Sequence, residues 1–124
     1  MEQGIFKNVL DKTLSSYGFR KEKANYCKEC SDTIIIVDLQ SSGVQGGFYI
    51  NYGFFVTKLH YDIEEATLLS CDFASRFTME DNSSVFFPDK LSVDEYKIII
   101  EDNIEKHISP FLSEGIENSL ALYP

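Results

Sequence analysis

Two runs of strand-forming residues separated by a short Ser- and Gly-rich connection constrain this chain most. Thr33–Gln40 carries Ile34, Ile35, Ile36, Val37 and Leu39, large or β-branched side chains that favour extended backbone. Phe48–Val56 alternates: Phe48, Ile50, Tyr52, Phe54 and Val56 share one face, and Tyr49, Asn51, Gly53 and Phe55 the other. The Ser41–Gly47 connection has no helix behind it, so it reads as a flexible loop rather than a phosphate cradle. Gly53 within a strand marks a bulge or a close approach of backbone.

The flanking segments fit around this pair. Residues 4–17 have apolar side chains at helical spacing (Ile5, Phe6, Val9, Leu10, Leu14, Tyr17), and Gly18 stands where a left-handed residue ends a helix. Extended chain from Phe19 and a short strand at Tyr26–Cys30 follow, then a turn at Ser31-Asp32. After a loop at 58–66, Leu68–Thr78 contains another strand, Glu80–Ser84 is a polar turn, and Val85–Phe87 is a short edge strand that Pro88 ends. Ser92-x-x-Glu95 is a capping box opening a helix to His107, with Val93, Tyr96, Ile99, Ile100, Ile104 and Ile108 on its apolar side. Ser109-Pro110 breaks this helix and starts a last amphipathic segment through Phe111, Leu112, Ile116, Leu120 and Leu122, weakened by Gly115. The expectation is one α+β domain over residues 1–124: an antiparallel β-meander of four to five strands, with N-terminal and C-terminal helices packed on one face.

Charge divides the chain in two. Residues 1–62 hold seven basic and seven acidic residues, whereas 63–124 hold four and thirteen, so the net charge of −9 belongs to the second half. A field of that sign repels phosphate backbones, which argues against nucleic acid, and attracts a basic protein. Asp94, Glu95, Glu101, Asp102 and Glu105 lie on the polar side of the long helix. Capping accounts for Glu95, which leaves Asp94, Glu101, Asp102 and Glu105 as candidate partner-binding residues. The competing explanation is that acidity serves solubility alone. No apolar run approaches the length of a membrane span, and no secretory signal is visible. Three cysteines, an odd number, fit reduced thiols in a cytoplasm.

Candidate chemistry is sparse. Cys27-x-x-Cys30 has only Cys71, His60 and His107 to complete a metal site, and residues three apart on a strand point to opposite faces. No metal and no cofactor is expected. His107, near the helix end, reads as a packed or helix-terminal histidine, and His60 lies in a loop. No nucleophile elbow, P-loop or dinucleotide fingerprint is present. If Ile35, Val37 and Leu39 face the helices, then Asp38, Gln40 and Asn51 face away, and Arg76 from the later strand joins them. These four form a polar cluster on the open sheet face, ringed by Tyr49 and Phe55. They are either a ligand site or cross-strand bonds that fix register.

Gly18-Phe19, Tyr26, Val37-Asp38-Leu39-Gln40-Ser41-Ser42 and Phe48-Tyr49-Ile50-Asn51-Tyr52-Gly53 form a recognisable series. With Arg76 and Pro110-Phe111-Leu112, the chain resembles the bacterial domain-of-unknown-function family numbered 4304 over nearly its whole length. It departs by lacking tryptophan near Val85–Phe87, where Phe86 and Phe87 substitute. The resemblance implies a shared fold and a bacterial cytoplasmic setting, and it carries over no catalytic residue.

Two readings of function follow. One is a non-catalytic module that docks a basic protein with its acidic half, in concrete form a toxin-neutralising immunity protein. The other is a small-molecule-binding or enzymatic domain using Asp38, Gln40, Asn51 and Arg76. A homo-oligomer through exposed aromatics is compatible with both.

Overall fold

A computed structural model describes residues 1–30, 32–43, 46–56 and 71–110. The 58–66 loop with His60, the start of the Leu68–Thr78 segment and the last amphipathic segment from Phe111 lie outside the described residues.

Helix α1 (Gln3–Ser16) buries Phe6, Leu10 and Leu14, while Ile5, expected on the same side, is exposed. Its end is closed by Gly18 at φ +88°, which lets the Phe19 N–H return to the Leu14 carbonyl at 3.1 Å. The ammonium of Lys28 donates to the Tyr17 carbonyl at 2.5 Å, placing a cation at the negative end of the helix. A Cβ at residue 18 would sit 3.0 Å from that ammonium, so this turn favours glycine on conformation and on space.

Among the described residues, five strands form one sheet in the order β1 (Arg20–Glu22), β2 (Asn25–Cys30), β3 (Thr33–Ser41), β4 (Phe48–Val56) and β5 (Phe73–Arg76). Each strand is antiparallel to the one before, which is the meander the sequence predicts. The β3–β4 register sets Thr33 opposite Val56, Asp38 opposite Asn51 and Ser41 opposite Phe48. That register turns Ile35, Val37, Ile50, Tyr52 and Phe54 into the main core, where they meet Phe6, Leu10, Tyr96, Ile100 and Ile104 from the two helices. Both helices therefore pack on one face. The Phe6 ring stacks on Tyr96 with centroids 4.1 Å apart and on Phe48 at 5.3 Å, so one side chain of α1 joins the second helix to the sheet.

Gly53 is a close-approach glycine. A Cβ there would lie 2.8 Å from the Cys71 sulfur and 2.9 Å from the Phe73 carbonyl, so β5 could not be entered along this path with a larger residue.

The strand expected within Leu68–Thr78 is Phe73–Arg76, its ladder ending as the Phe77 N–H reaches the Ile50 carbonyl at 2.9 Å. Val85–Phe87 reduces to one bridge, Phe86 to Phe48, with bonds of 2.9 and 2.8 Å. Its neighbours Val85 and Phe87 instead close over Gly47, and Pro88, lacking an N–H, opens a 3-10 turn at Pro88–Lys90.

Helix α2 (Val93–His107) starts where the capping box places it. The Ser92 hydroxyl accepts from the Glu95 N–H at 3.2 Å and donates to the Glu95 carboxylate at 3.0 Å; the carboxylate thus returns to the hydroxyl rather than to the Ser92 backbone. No helix among the described residues is long and apolar enough to cross a membrane.

Asn103, buried in α2, clasps the chain as it leaves β5. Its amide accepts from the Thr78 N–H at 3.0 Å and donates to the Thr78 carbonyl at 2.8 Å and the Ile99 carbonyl at 2.9 Å. Replacing it with alanine strands two buried backbone groups, and Asn103→Ala is expected to lower unfolding free energy by about 2–3 kcal/mol in urea titrations. A loss under about 0.5 kcal/mol would show that water or relaxation replaces the clasp.

Candidate functional site

Two constellations named from the sequence are found in the fold, one on each side of the sheet.

The first is the polar cluster, and the register assembles all four residues. Asn51 stands opposite Asp38 on β3 and opposite Arg76 on β5. Its amide nitrogen donates to Asp38 Oδ1 at 2.8 Å and to Gln40 Oε1 at 2.9 Å, and its Oδ1 accepts from Arg76 Nε at 3.1 Å. The Arg76 guanidinium lies 3.7 Å from the centre of the Tyr49 ring. Phe55 takes no part: it pairs with Ile34, four residues farther along β4. Nor is this face open, since Asn51 is 5% exposed, and Ile36 and, farther along the strand, Phe55 are buried on the same side. Buried and with all its amide bonds made, Asn51 ties β3, β4 and β5 together. This arrangement fixes register; it leaves only the outer edge of Arg76 for other work.

The cysteines are spread across both faces. Cys27 pairs with Ile36 on the face away from the helices, whereas Cys30 packs against the main core. Burial pushes all three thiols up, and Cys71, with Asp72 beside it, is pushed up to about 12. Protonated at neutral pH, they are weak nucleophiles and poor metal ligands. Among the described residues no three His, Cys, Asp or Glu side chains converge on a possible metal position.

The second constellation is the outer face of α2. At about 100° per residue, Asp94, Glu101, Asp102 and Glu105 fall within an arc of roughly 100°. Asp94, Asp102 and Glu105 are exposed and Glu101 is half-buried. Glu101 pairs with Lys97 at 3.9 Å, and Glu105 accepts a hydrogen bond from the Tyr17 hydroxyl at 3.0 Å. Asp94, Asp102 and Glu105 have no basic partner among the described residues. Burial and the bond to Glu105 raise the Tyr17 pKa.

Sequence reasoning passed over the residue at the middle of this arc. Ile98 is 59% exposed, the most exposed large apolar side chain among the described residues. Asp94 and Asp102 lie one turn from it on either side, with Glu95 and Glu101 next to them. The signal was present in the sequence: Ile98 falls on the polar arc of a helix that already has its apolar stripe complete. Beside it a groove of about 520 Å³ runs between α2 and the 78–82 turn. Leu91, Ile98 and Ile99 are its aliphatic lining, and Glu80, Asp81, Glu95 and Asp102 are its carboxylates.

A scan against protein families matches residues 10–114 to a domain of unknown function, DUF4304. The chain belongs to the DUF4304 family. Comparison with curated proteins and with solved structures gave no match.

His107 lines one end of the groove and stacks on Tyr52, centroids 5.5 Å apart. Burial first, then Lys106, lowers its pKa below the ordinary 6.5. The ring is a neutral packing element, not a cation serving the helix dipole. The unfolded chain protonates this histidine before the folded one does, so its contribution to stability is present above pH 6.5 and is lost as pH falls from there through its lower value in the folded chain. Denaturation of wild type and His107→Phe, which keeps a ring against Tyr52, should show the wild type losing more stability between about pH 8 and pH 5.5. Identical pH profiles would contradict the assignment.

Proposed function

We propose that this DUF4304 domain is a non-catalytic protein-binding module that docks a basic protein on the outer face of α2, with a toxin-neutralising immunity protein in a bacterial cytoplasm as the concrete form. One observation carries the reading: three carboxylates, Asp94, Asp102 and Glu105, stand exposed on a rigid helix without basic partners among the described residues. Folding alone would not choose them all. Glu105 lies in the last turn, where the helix dipole opposes a negative charge, and like charges one turn apart repel. Displayed together they build a negative field that speeds encounter with a cationic surface and selects against an anionic one.

A ligand site at Asp38, Gln40, Asn51 and Arg76 is less well supported, because Asn51 spends its donors and its acceptor within the cluster. That alternative predicts loss of binding on Asn51→Ala or Arg76→Ala.

The test starts from proteins captured from the source cells by the intact chain, with an Asp94→Lys, Asp102→Lys, Glu105→Lys variant run beside it. A basic protein retained by the wild type should associate with the variant about tenfold more slowly at low ionic strength, with a flatter salt dependence. Circular dichroism should be unchanged. Equal association rates at low salt would overturn the proposal.

A further inference from the structure

The groove beside α2 adds chemistry that charge alone does not specify. Its lining is apolar and acidic together: Leu91, Ile98 and Ile99 with Glu95 and Asp102 from the helix side, and Glu80 and Asp81 from the turn. Around the helix, at about 100° per residue, Asp102 and Glu95 lie between Ile98 and Ile99. Among the described residues Lys106 is the one fixed positive charge in the lining, since burial lowers the pKa of the neighbouring His107.

An exposed isoleucine is not wanted by the fold. The buried stripe of α2 is made by Tyr96, Ile100, Asn103 and Ile104, and Ile98 lies well round the helix from it. An apolar anchor point surrounded by charged groups has the anatomy of a binding hot spot, in which the rim excludes water from the centre. The volume, about 520 Å³, accommodates a few side chains rather than a whole protein face.

We infer that this groove receives an amphipathic basic helix of the partner, with aliphatic side chains seated on Leu91, Ile98 and Ile99 and lysines or arginines meeting Glu80 and Asp81 of the turn and Glu95 and Asp102 of the helix. Apolar and acidic side chains side by side along one groove are complementary to a helix whose apolar stripe is bordered by cations. Long cationic side chains suit this geometry, because their methylene stems can cover Ile98 while the charged heads reach Asp102 or Asp81. The inference rests on the docking reading above and names the element of the partner that is recognised.

The experiment uses two synthetic peptides of equal charge: an 18-residue Leu/Lys sequence with leucines at i, i+3, i+4 and i+7, and an oligolysine. Each is titrated into the intact chain, wild type and Ile98→Ser, by fluorescence anisotropy. Ile98 is mostly solvent-exposed, so its replacement leaves the fold in place, which circular dichroism checks. The wild type should bind the Leu/Lys peptide at least about tenfold more tightly than oligolysine, and Ile98→Ser should erase most of that advantage. Backbone amide shifts should concentrate between Met79 and Asp102. Equal affinity for both peptides, no binding of either, or a preference that survives Ile98→Ser would overturn the groove assignment. None of these outcomes touches the charge-reversal test of the docking reading, so the two can fail separately.

Discussion

The β3–β4 pairing is the constraint from which the rest of this structure follows. Nine residues of each strand are locked in one antiparallel register, from Thr33 opposite Val56 to Ser41 opposite Phe48. Side chains alternate, so a slip by one position would carry Ile35, Val37, Ile50 and Tyr52 away from the helices and put Asp38 and Asn51 into the core. The two faces hold the register by different means. Toward the helices it is secured by apolar burial, and away from them by the amide of Asn51 bonded across three strands. Packing is tolerant of small displacements, whereas three short hydrogen bonds to one amide are not.

Helix α2 depends on that frame and has two unlike sides. Tyr96, Ile100 and Ile104 attach it to the sheet and to Phe6 of α1, and Asn103 clasps the Thr78 backbone. These contacts occupy one side of the helix. The other side carries Asp94, Ile98, Asp102 and Glu105, an exposed apolar side chain among carboxylates, and it is the surface proposed above for docking.

Much of this was legible in the sequence, for physical reasons that differ from place to place. The β-branched run Ile34–Val37 and the alternation of Phe48–Val56 determine strands whatever surrounds them, and the Ser92–Glu95 box is a local hydrogen-bonding unit. The polar cluster was legible because period-two alternation fixes which strand residues share a face. What it could not give was burial: that Asn51 is covered, and that Ile36 and Phe55 are too, depends on chain passing over that side, such as Cys71 across Gly53. Asn103 was hidden because an asparagine within a helix reads as a solvated residue, and its partner, the Thr78 backbone, is distant in sequence. The edge strand at Val85–Phe87 shrank because its neighbour, Phe48 at the end of β4, offers pairing for one residue only. Ile98 stood in plain view on the polar arc.

With the packing side of α2 made by Tyr96, Ile100, Asn103 and Ile104, its outer face should be surplus to folding. Ile98→Gln, Asp102→Gln and Glu105→Gln made together test this directly by urea denaturation of the intact chain. They remove an exposed apolar side chain and two carboxylates toward the negative end of the helix, at the cost of the exposed Tyr17–Glu105 bond. The expected result is an unfolding free energy within about 0.5 kcal/mol of the wild type, or above it. A fall of more than about 1.5 kcal/mol would contradict it, because these side chains would then be holding the fold together rather than waiting for a partner.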